Sequence, residues 1–266
     1  MTAGSRVLID ASNLHSGGGV QVAASFINEL FSLAEPPEWL DSATIRASTR
    51  VFDSLDDSVK PRVQVVDTFP SMRFLLPQNK PSFDVAFNVF GPTYRRREAK
   101  VEIAGLADPM IPAHYAPDEV LRELTTAAKL RARAKRIRIK SYEMITVETE
   151  PFARAIAASG VSRSLIHVVP NAASSVVLSH ETSFGRDTDN TPFTFIYPAR
   201  PYFHKNHHRI GPLLEALKQR GVKAQILVTL TEDEVAEIPD LNRAEGVPLG
   251  VLTQPQLAEA SAKADA

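Results

Sequence analysis

Short apolar runs alternate with stretches of helical period along most of the chain. Arg6–Asp10 (RVLID) predicts a first strand, and Val22, Phe26, Leu30 and Leu33 then mark a helical stripe, with Ala23 and Ile27 beside it. Thr44–Phe52 and Arg62–Thr68 predict the next two strands. Pro70–Pro81, punctuated by prolines, reads as loop, and Phe83–Val89 (FDVAFNV) and Lys100–Gly105 (KVEIAG) as strands. Asp118–Ile139 predicts a long helix and Glu143–Glu148 (EMITVE) a buried strand. A short helix, Phe152–Ser159, opens at Thr149-Glu150 and closes at Gly160. Leu165–Val169 leads into Pro170-Asn171-Ala172.

Ser174–Pro192 is polar, lacks periodicity and reads as a linker, so the chain divides into 1–172, a connection at 173–192, and 193–266. The second part opens with Phe193, Phe195, Ile196 and Tyr197, a run suited to a covered strand. Ile210, Leu213, Leu214 and Leu217 follow at i, i+3, i+4 and i+7, one helical face, with Pro212 in the first turn and Gly221 as the closing residue. Val222–Leu230 and Val247–Leu252 predict two more strands. Thr231-x-x-Glu234 and Thr253-x-x-Gln256 are capping-box patterns, the latter opening a helix that carries Leu257 and Ala260. Strands alternating with helices predict an α/β protein of two Rossmann-like domains.

Composition narrows the classes. The 266 residues are 44% hydrophobic and 23% charged, enough for one large or two ordinary domains with real cores. A net charge of -1 supplies no global field for nucleic acid. With no cysteine there is neither a disulfide framework nor a thiolate metal site. Residues 1–30 lack a signal-peptide pattern and no apolar run spans a bilayer, so the expectation is a soluble cytoplasmic protein. Lys129, Arg131, Arg133, Lys135, Arg136, Arg138 and Lys140 crowd one stretch; they read mostly as solvated, with peripheral contact to anionic lipid at the inner face of the plasma membrane as a second use. Arg95-Arg96-Arg97 reads as a solvated turn.

Two stretches carry candidate chemistry. Ser16-Gly17-Gly18-Gly19 lies between the first strand and the first helix, where glycines let backbone N–H groups approach a ligand. The pattern is neither G-x-G-x-x-G nor a P-loop, which disfavours a dehydrogenase and an NTPase; an ordinary flexible βα turn is the alternative. Asn13 and His15 stand beside it. In the second part, Arg200 and Lys205 sit between strand and helix, at the carboxyl end of the strand where open sheets bind ligands and ahead of a helix N-terminus. Two cations there suit a diphosphate, Arg as a fork and Lys as a point charge; two solvated surface cations are the other reading.

Ala-Arg-Pro-Tyr-Phe-His-Lys-Asn (199–206) resembles the Arg-(four residues)-Lys loop of GT-B glycosyltransferases of the retaining family 4. ITVETEPFARAIAASG…SLIHVVPNAAS resembles the end of that family's N-terminal domain. The resemblance runs over residues 6–266 and implies an α/β, GT-B fold whose second Rossmann-like domain is incomplete. It implies a metal-independent, retaining transfer of a hexose from a nucleotide-sugar to a glycan or lipid-linked acceptor, in cell-surface polysaccharide synthesis, with no further cofactor. It assigns Arg200 and Lys205 to the diphosphate, and points to Gly17, Gly18, Gly19, Asp108, Glu150 and Asn171 as lining a donor or acceptor cleft. Ala107 precedes Asp108 where many relatives carry a histidine; a turn aspartate before proline is the structural reading of Asp108, and a helix N-terminal carboxylate that of Glu150. The second domain lacks the segment that holds the donor sugar in the family, so the chain as given is expected to be inactive; a non-catalytic binding partner of the same fold is the competing expectation.

Overall fold

A computed structural model describes residues 4–69, 71, 80–112, 122, 125–172, 192–202, 205–243 and 246–265. The chain divides into two compact units, Met1–Ala172 and Ala173–Ala266. The expected linker lies almost entirely outside the described residues, as does most of Pro70–Pro81.

The first unit is built on seven strands: β1 (Val7–Ala11), β2 (Thr44–Ala47), β3 (Val63–Val65), β4 (Phe83–Asn88), β5 (Ala99–Leu106), β6 (Met144–Val147) and β7 (Ile166–Val168). All pair in parallel, in the order β3-β2-β1-β4-β5-β6-β7. The chain therefore works outward from β1 to β3, returns to β4, and works outward the other way. Loops after β1 and β4 diverge at this switch, which is where doubly wound sheets open a crevice.

Register sets which residues meet. Ile9 is level with Ile45 and Phe87, and Phe87 with Ile103, so these share one face. Helices α1 (Gly18–Ser32) and α2 (Thr49–Asp53) cover part of it, forming a core with Ile9, Ala11, Ile45, Ala47, Val51 and Ile27. Ala104 and Ile145 lie on the opposite face, where α3 (Thr126–Ile139) and α4 (Glu150–Ala158) contribute Ile139, Phe152 and Ile156 to a second core.

Three expectations change here. The stretch 44–52 is a strand only to Ala47; Ser48 then accepts the Val51 N–H at 3.2 Å and caps a helix where a continuous strand was expected. The buried face of α1 is Val20, Ala23, Ala24 and Ile27, not the Val22–Leu33 stripe. Small residues bring its backbone close to the sheet, while Phe26 packs edge-on to Phe87 at 5.5 Å and Leu33 is exposed. The helix expected over 118–139 is described from Thr126, with Thr125 as its cap.

The second unit holds a parallel sheet in the order β10-β9-β8: β8 (Phe193–Tyr197), β9 (Ala224–Val228) and β10 (Val247–Pro248). Its helices are α5 (Ile210–Gln219), α6 (Glu232–Ala236), α7 (Pro239–Arg243) and α8 (Gln254–Ala262). Ile210, Leu214, Ile226, Val228, Leu230, Val235 and Leu241 form its core; Leu213, expected on the inner stripe, is 47% exposed. Among the described residues β8 is the edge strand of this sheet, and each of its residues is half-buried where a covered strand was expected. Local signals held well elsewhere. Both capping boxes form. Gly221, at φ 74°, closes α5 by donating to Lys218 O at 2.9 Å while Val222 donates to Leu217 O at 3.0 Å, a Schellman motif.

Candidate functional site

In the second unit the site grows from the carboxyl end of β8. Tyr197, its last residue, donates its hydroxyl to the Lys205 carbonyl at 2.7 Å and so closes the loop on itself. Tyr202 N–H donates to Arg200 O at 2.7 Å, and Lys205 N–H to Tyr202 O at 2.8 Å. Asn206 takes the left-handed conformation, φ 53°, which turns the chain into a short 3₁₀ segment, His207–Arg209, that runs into α5. Residues 203 and 204 lie outside the described set.

His207 is the hidden support of this loop, and no sequence pattern pointed to it. It is buried, faces Tyr197 edge-on at 5.2 Å, and its Nε2 lies 3.2 Å from the Ala199 carbonyl, to which it donates. Burial, reinforced by the Lys205 charge, lowers its pKa below the ordinary 6.5 against the Ala199 hydrogen bond, so it is held neutral.

Arg200 and Lys205 both belong to this loop, but they are not equivalent cations. Arg200 Nη2 is bonded to the Glu234 carboxylate, whose other oxygen accepts the Thr231 N–H at 2.9 Å in the capping box of α6. Arg200 Nη1 is buried with no hydrogen-bond partner among the described residues. The guanidinium is thus half engaged, with one donor unsatisfied. Lys205 is exposed.

In the first unit the glycine turn follows β1. Asp10, 2% exposed, accepts the Ser12 N–H at 2.9 Å, and Ser12 meets the Thr68 hydroxyl at 2.8 Å. Asn13 donates to Phe90 O, in the turn after β4, at 2.7 Å, which ties the two sides of the switch together, and its Oδ1 is buried without a partner among the described residues. His15 Nε2 lies 3.0 Å from Thr68 O, its Nδ1 3.5 Å from Asp67, and its ring stacks on Phe69 at 4.7 Å. Gly17 precedes α1 at φ 71°, a conformation that favours glycine. Gly18 and Gly19 open the helix, whose N-terminus has neither a side-chain cap nor an acidic residue in its first turn. A Cβ on Gly19 would touch Leu14 and Phe90 at 3.4 and 3.5 Å, whereas one on Gly18 would meet nothing within 4 Å.

Asp108, Glu150 and Asn171 follow β5, β6 and β7, at the same carboxyl edge as the glycine turn but not beside it. At about 4.8 Å per strand, β5 is roughly 10 Å from β1, and β6 and β7 lie farther out. Each has a local partner. Asp108 accepts the Met110 N–H at 2.9 Å and the Lys135 ammonium at 2.7 Å. Burial would lower the Lys135 pKa, but Asp108 and the Tyr94 hydroxyl outweigh it and raise the value, so the Lys135 ammonium keeps its charge. Glu150 pairs with Arg163 at 3.0 Å, and Asn171 donates to Glu148 at 2.8 Å.

Most of the clustered cations of the first unit, Lys129, Arg131, Arg133 and Lys140, are exposed as expected, but the rest turn inward: Lys135 and Arg136 are half-buried and Arg138 is buried. Arg138, 5% exposed by side chain, pairs with Glu102, 2% exposed, and lies 4.6 Å above the Tyr142 ring. The Arg95–Arg97 turn is likewise anchored: Arg95 bonds Glu98 at 2.6 Å, and Arg97 bonds Glu143 at 2.6 Å and Ala99 O at 3.0 Å. Among the described residues, no three His, Asp or Glu side chains gather as a metal site requires.

No protein-family model matches the chain, and no curated protein does. Solved structures do. Crystal structures of Anabaena HepE with UDP-glucose, with UDP and glucose, and with UDP superpose with TM-scores of 0.57, 0.54 and 0.51. Identity is 16% in each, over 95% of this chain and 70%, 71% and 71% of HepE. With the parallel strand orders, this likeness shows the fold: α/β of the GT-B type, built on Rossmann-like units.

Proposed function

We propose that this chain is a glycosyltransferase whose second unit takes the diphosphate of a nucleotide-sugar on the Arg200–Lys205 loop. The observation that carries the reading is the loop itself. It stands at the carboxyl end of β8, is braced from within by Tyr197 and His207, and holds a half-engaged guanidinium with an unpaired Nη1 beside an exposed lysine. A buried unmade hydrogen bond costs about 1–3 kcal/mol, which a small shift of Arg200 toward an anion would recover. The complexes of HepE with UDP and UDP-glucose make a uridine nucleotide the first donor to test.

In the transfer, the bond between the anomeric carbon and the diphosphate oxygen breaks, with its electron pair leaving on the diphosphate. An acceptor hydroxyl bonds to the same carbon and its proton passes to the departing phosphate. Arg200 and Lys205 oppose the charge that develops there, so this proposal routes no step through a metal. The finer reading is retention of configuration, a hexose as the transferred group, and a glycan or lipid-linked acceptor of cell-surface polysaccharide synthesis. The first unit takes the acceptor side, with the glycine turn as its closest backbone approach. Gly18 supports this: packing gives no reason for a glycine there, and ligand approach does. Asp108, Glu150 and Asn171 act in this reading by shaping the loops that follow β5 to β7, since each already has a protein partner.

Calorimetry with UDP and GDP tests the donor site. Losing one hydrogen bond from a charged group costs roughly 1.5–3 kcal/mol, so Lys205→Ala should weaken UDP at least about tenfold. Identical affinities in wild type and variant would remove the diphosphate role.

A further inference from the structure

We propose that the outer face of α3 docks on a bilayer surface bearing anionic headgroups. From Thr126 to Lys140 there is no acidic residue and there are seven cations. Their surroundings separate them into three sets. Lys135 and Arg138 turn inward and are consumed by Asp108 and Glu102. Arg136 is half-buried, and Lys140 leaves α3 with its ammonium against Gly160, just past the end of α4. Lys129, Arg131 and Arg133 are exposed.

Between these outward cations stand two large aliphatic side chains, Leu130 at 62% and Ile137 at 56% exposure. Leu130, Arg133 and Ile137 fall at i, i+3 and i+7, a single stripe along the helix. An ordinary solvent face mixes both signs of charge and keeps large aliphatics inside. Here like charges sit at i and i+4, Lys129 and Arg133, and two aliphatics face outward without acidic neighbours on the helix. Both features are unfavourable in water. Both become favourable against a surface with negative headgroups over an apolar interior.

Charge complementarity and the aliphatic pair together select the occupant. A polyanion such as nucleic acid would use the cations and leave Leu130 and Ile137 idle. An apolar protein groove would use the aliphatics and bury the cations at a cost. A lipid surface uses both. Among the described residues no helix is long and apolar enough to cross a membrane, so α3 would lie in the plane of the interface. The chain's net charge of -1 means the attraction is local to this helix, within a Debye length of roughly 8–10 Å.

The experiment is flotation of the full chain with phosphatidylcholine vesicles, with and without phosphatidylglycerol. Binding is expected only to the anionic vesicles, fading as salt is raised. The Lys129→Gln/Arg133→Gln variant should bind roughly 25-fold more weakly, about fivefold for each charge. The Leu130→Ser/Ile137→Ser variant should lose roughly tenfold with every charge intact. All four side chains are exposed, and an unchanged far-UV circular dichroism spectrum verifies each fold. Equal flotation with neutral vesicles would overturn the proposal. So would full binding by the Leu130/Ile137 variant, or displacement from vesicles by a DNA duplex whose own binding ignores Leu130 and Ile137, since the face would then be a general polyanion patch.

Discussion

Arg138 offers the sharpest test of how the first unit is held. Its guanidinium and the Glu102 carboxylate are 5% and 2% exposed, and they join α3 to the middle of β5. Glu102 also accepts the Glu98 N–H at 3.2 Å. Arg138→Met removes the partner and leaves the carboxylate buried with that one N–H. Stranding a buried charge in this way costs about 3–5 kcal/mol. For a unit of this size each kcal/mol moves Tm by about 2–4 °C, so a fall of roughly 6–20 °C is expected. The double variant Glu102→Gln/Arg138→Met removes both charges, while the new amide oxygen still accepts the Glu98 N–H; it should be more stable than Arg138→Met alone by about 2 kcal/mol. The assay is urea unfolding followed by tryptophan fluorescence. The sole tryptophan, Trp39, packs against the core of the first unit, so the signal excludes the second. A cost below about 1 kcal/mol for Arg138→Met, or a double variant as unstable as the sum of the singles, would refute the view that the pair's desolvation dominates.

Further outcomes follow from the sites. His207 is held below its ordinary pKa of 6.5 in the folded state, so the unfolded chain takes up the proton first; stability of the second unit is full above about pH 6.5 and falls as pH drops below it. Thermal melts across that window should show the loss in wild type and not in His207→Gln, and an NMR titration of the His207 ring at or above 6.5 would contradict it. Gly18→Ala should leave the fold intact or stabilise it by up to about 1 kcal/mol, since a Cβ there meets nothing, while impairing ligand binding or transfer. An unimpaired Gly18→Ala would remove the glycine turn from the site. Gly105→Ala, by contrast, would set a Cβ 2.1 Å from Val89 O and should cost about 3 kcal/mol, read by the same Trp39 signal.

Much of this protein is written locally. The Thr231 and Thr253 capping boxes, the Gly221 closure and the Thr149 cap each depend on residues within one turn of one another, and each formed as the pattern predicts. The alternation of strands and helices specified the α/β class, because parallel strands need helical crossovers. Ser48 was the local signal that could have ended β2 early, since a serine ahead of Val51 is a cap as readily as a strand residue.

What the tertiary structure decided are the pairings between distant positions. The face of α1 that turns inward depended on which stripe fits closely on the sheet, and the small residues won over the larger stripe. Which of the α3 cations are buried depended on Asp108 and Glu102, 27 and 36 residues away. The partner of Arg200 lies 34 residues on, at the start of another helix, so a sequence reading sees the cation but not the carboxylate that half occupies it. Period and capping act within a few residues and survive in any fold containing that element. The sign of a charge's neighbour and the depth of a side chain belong to the packed sheet, and come into being only when its strands take their order.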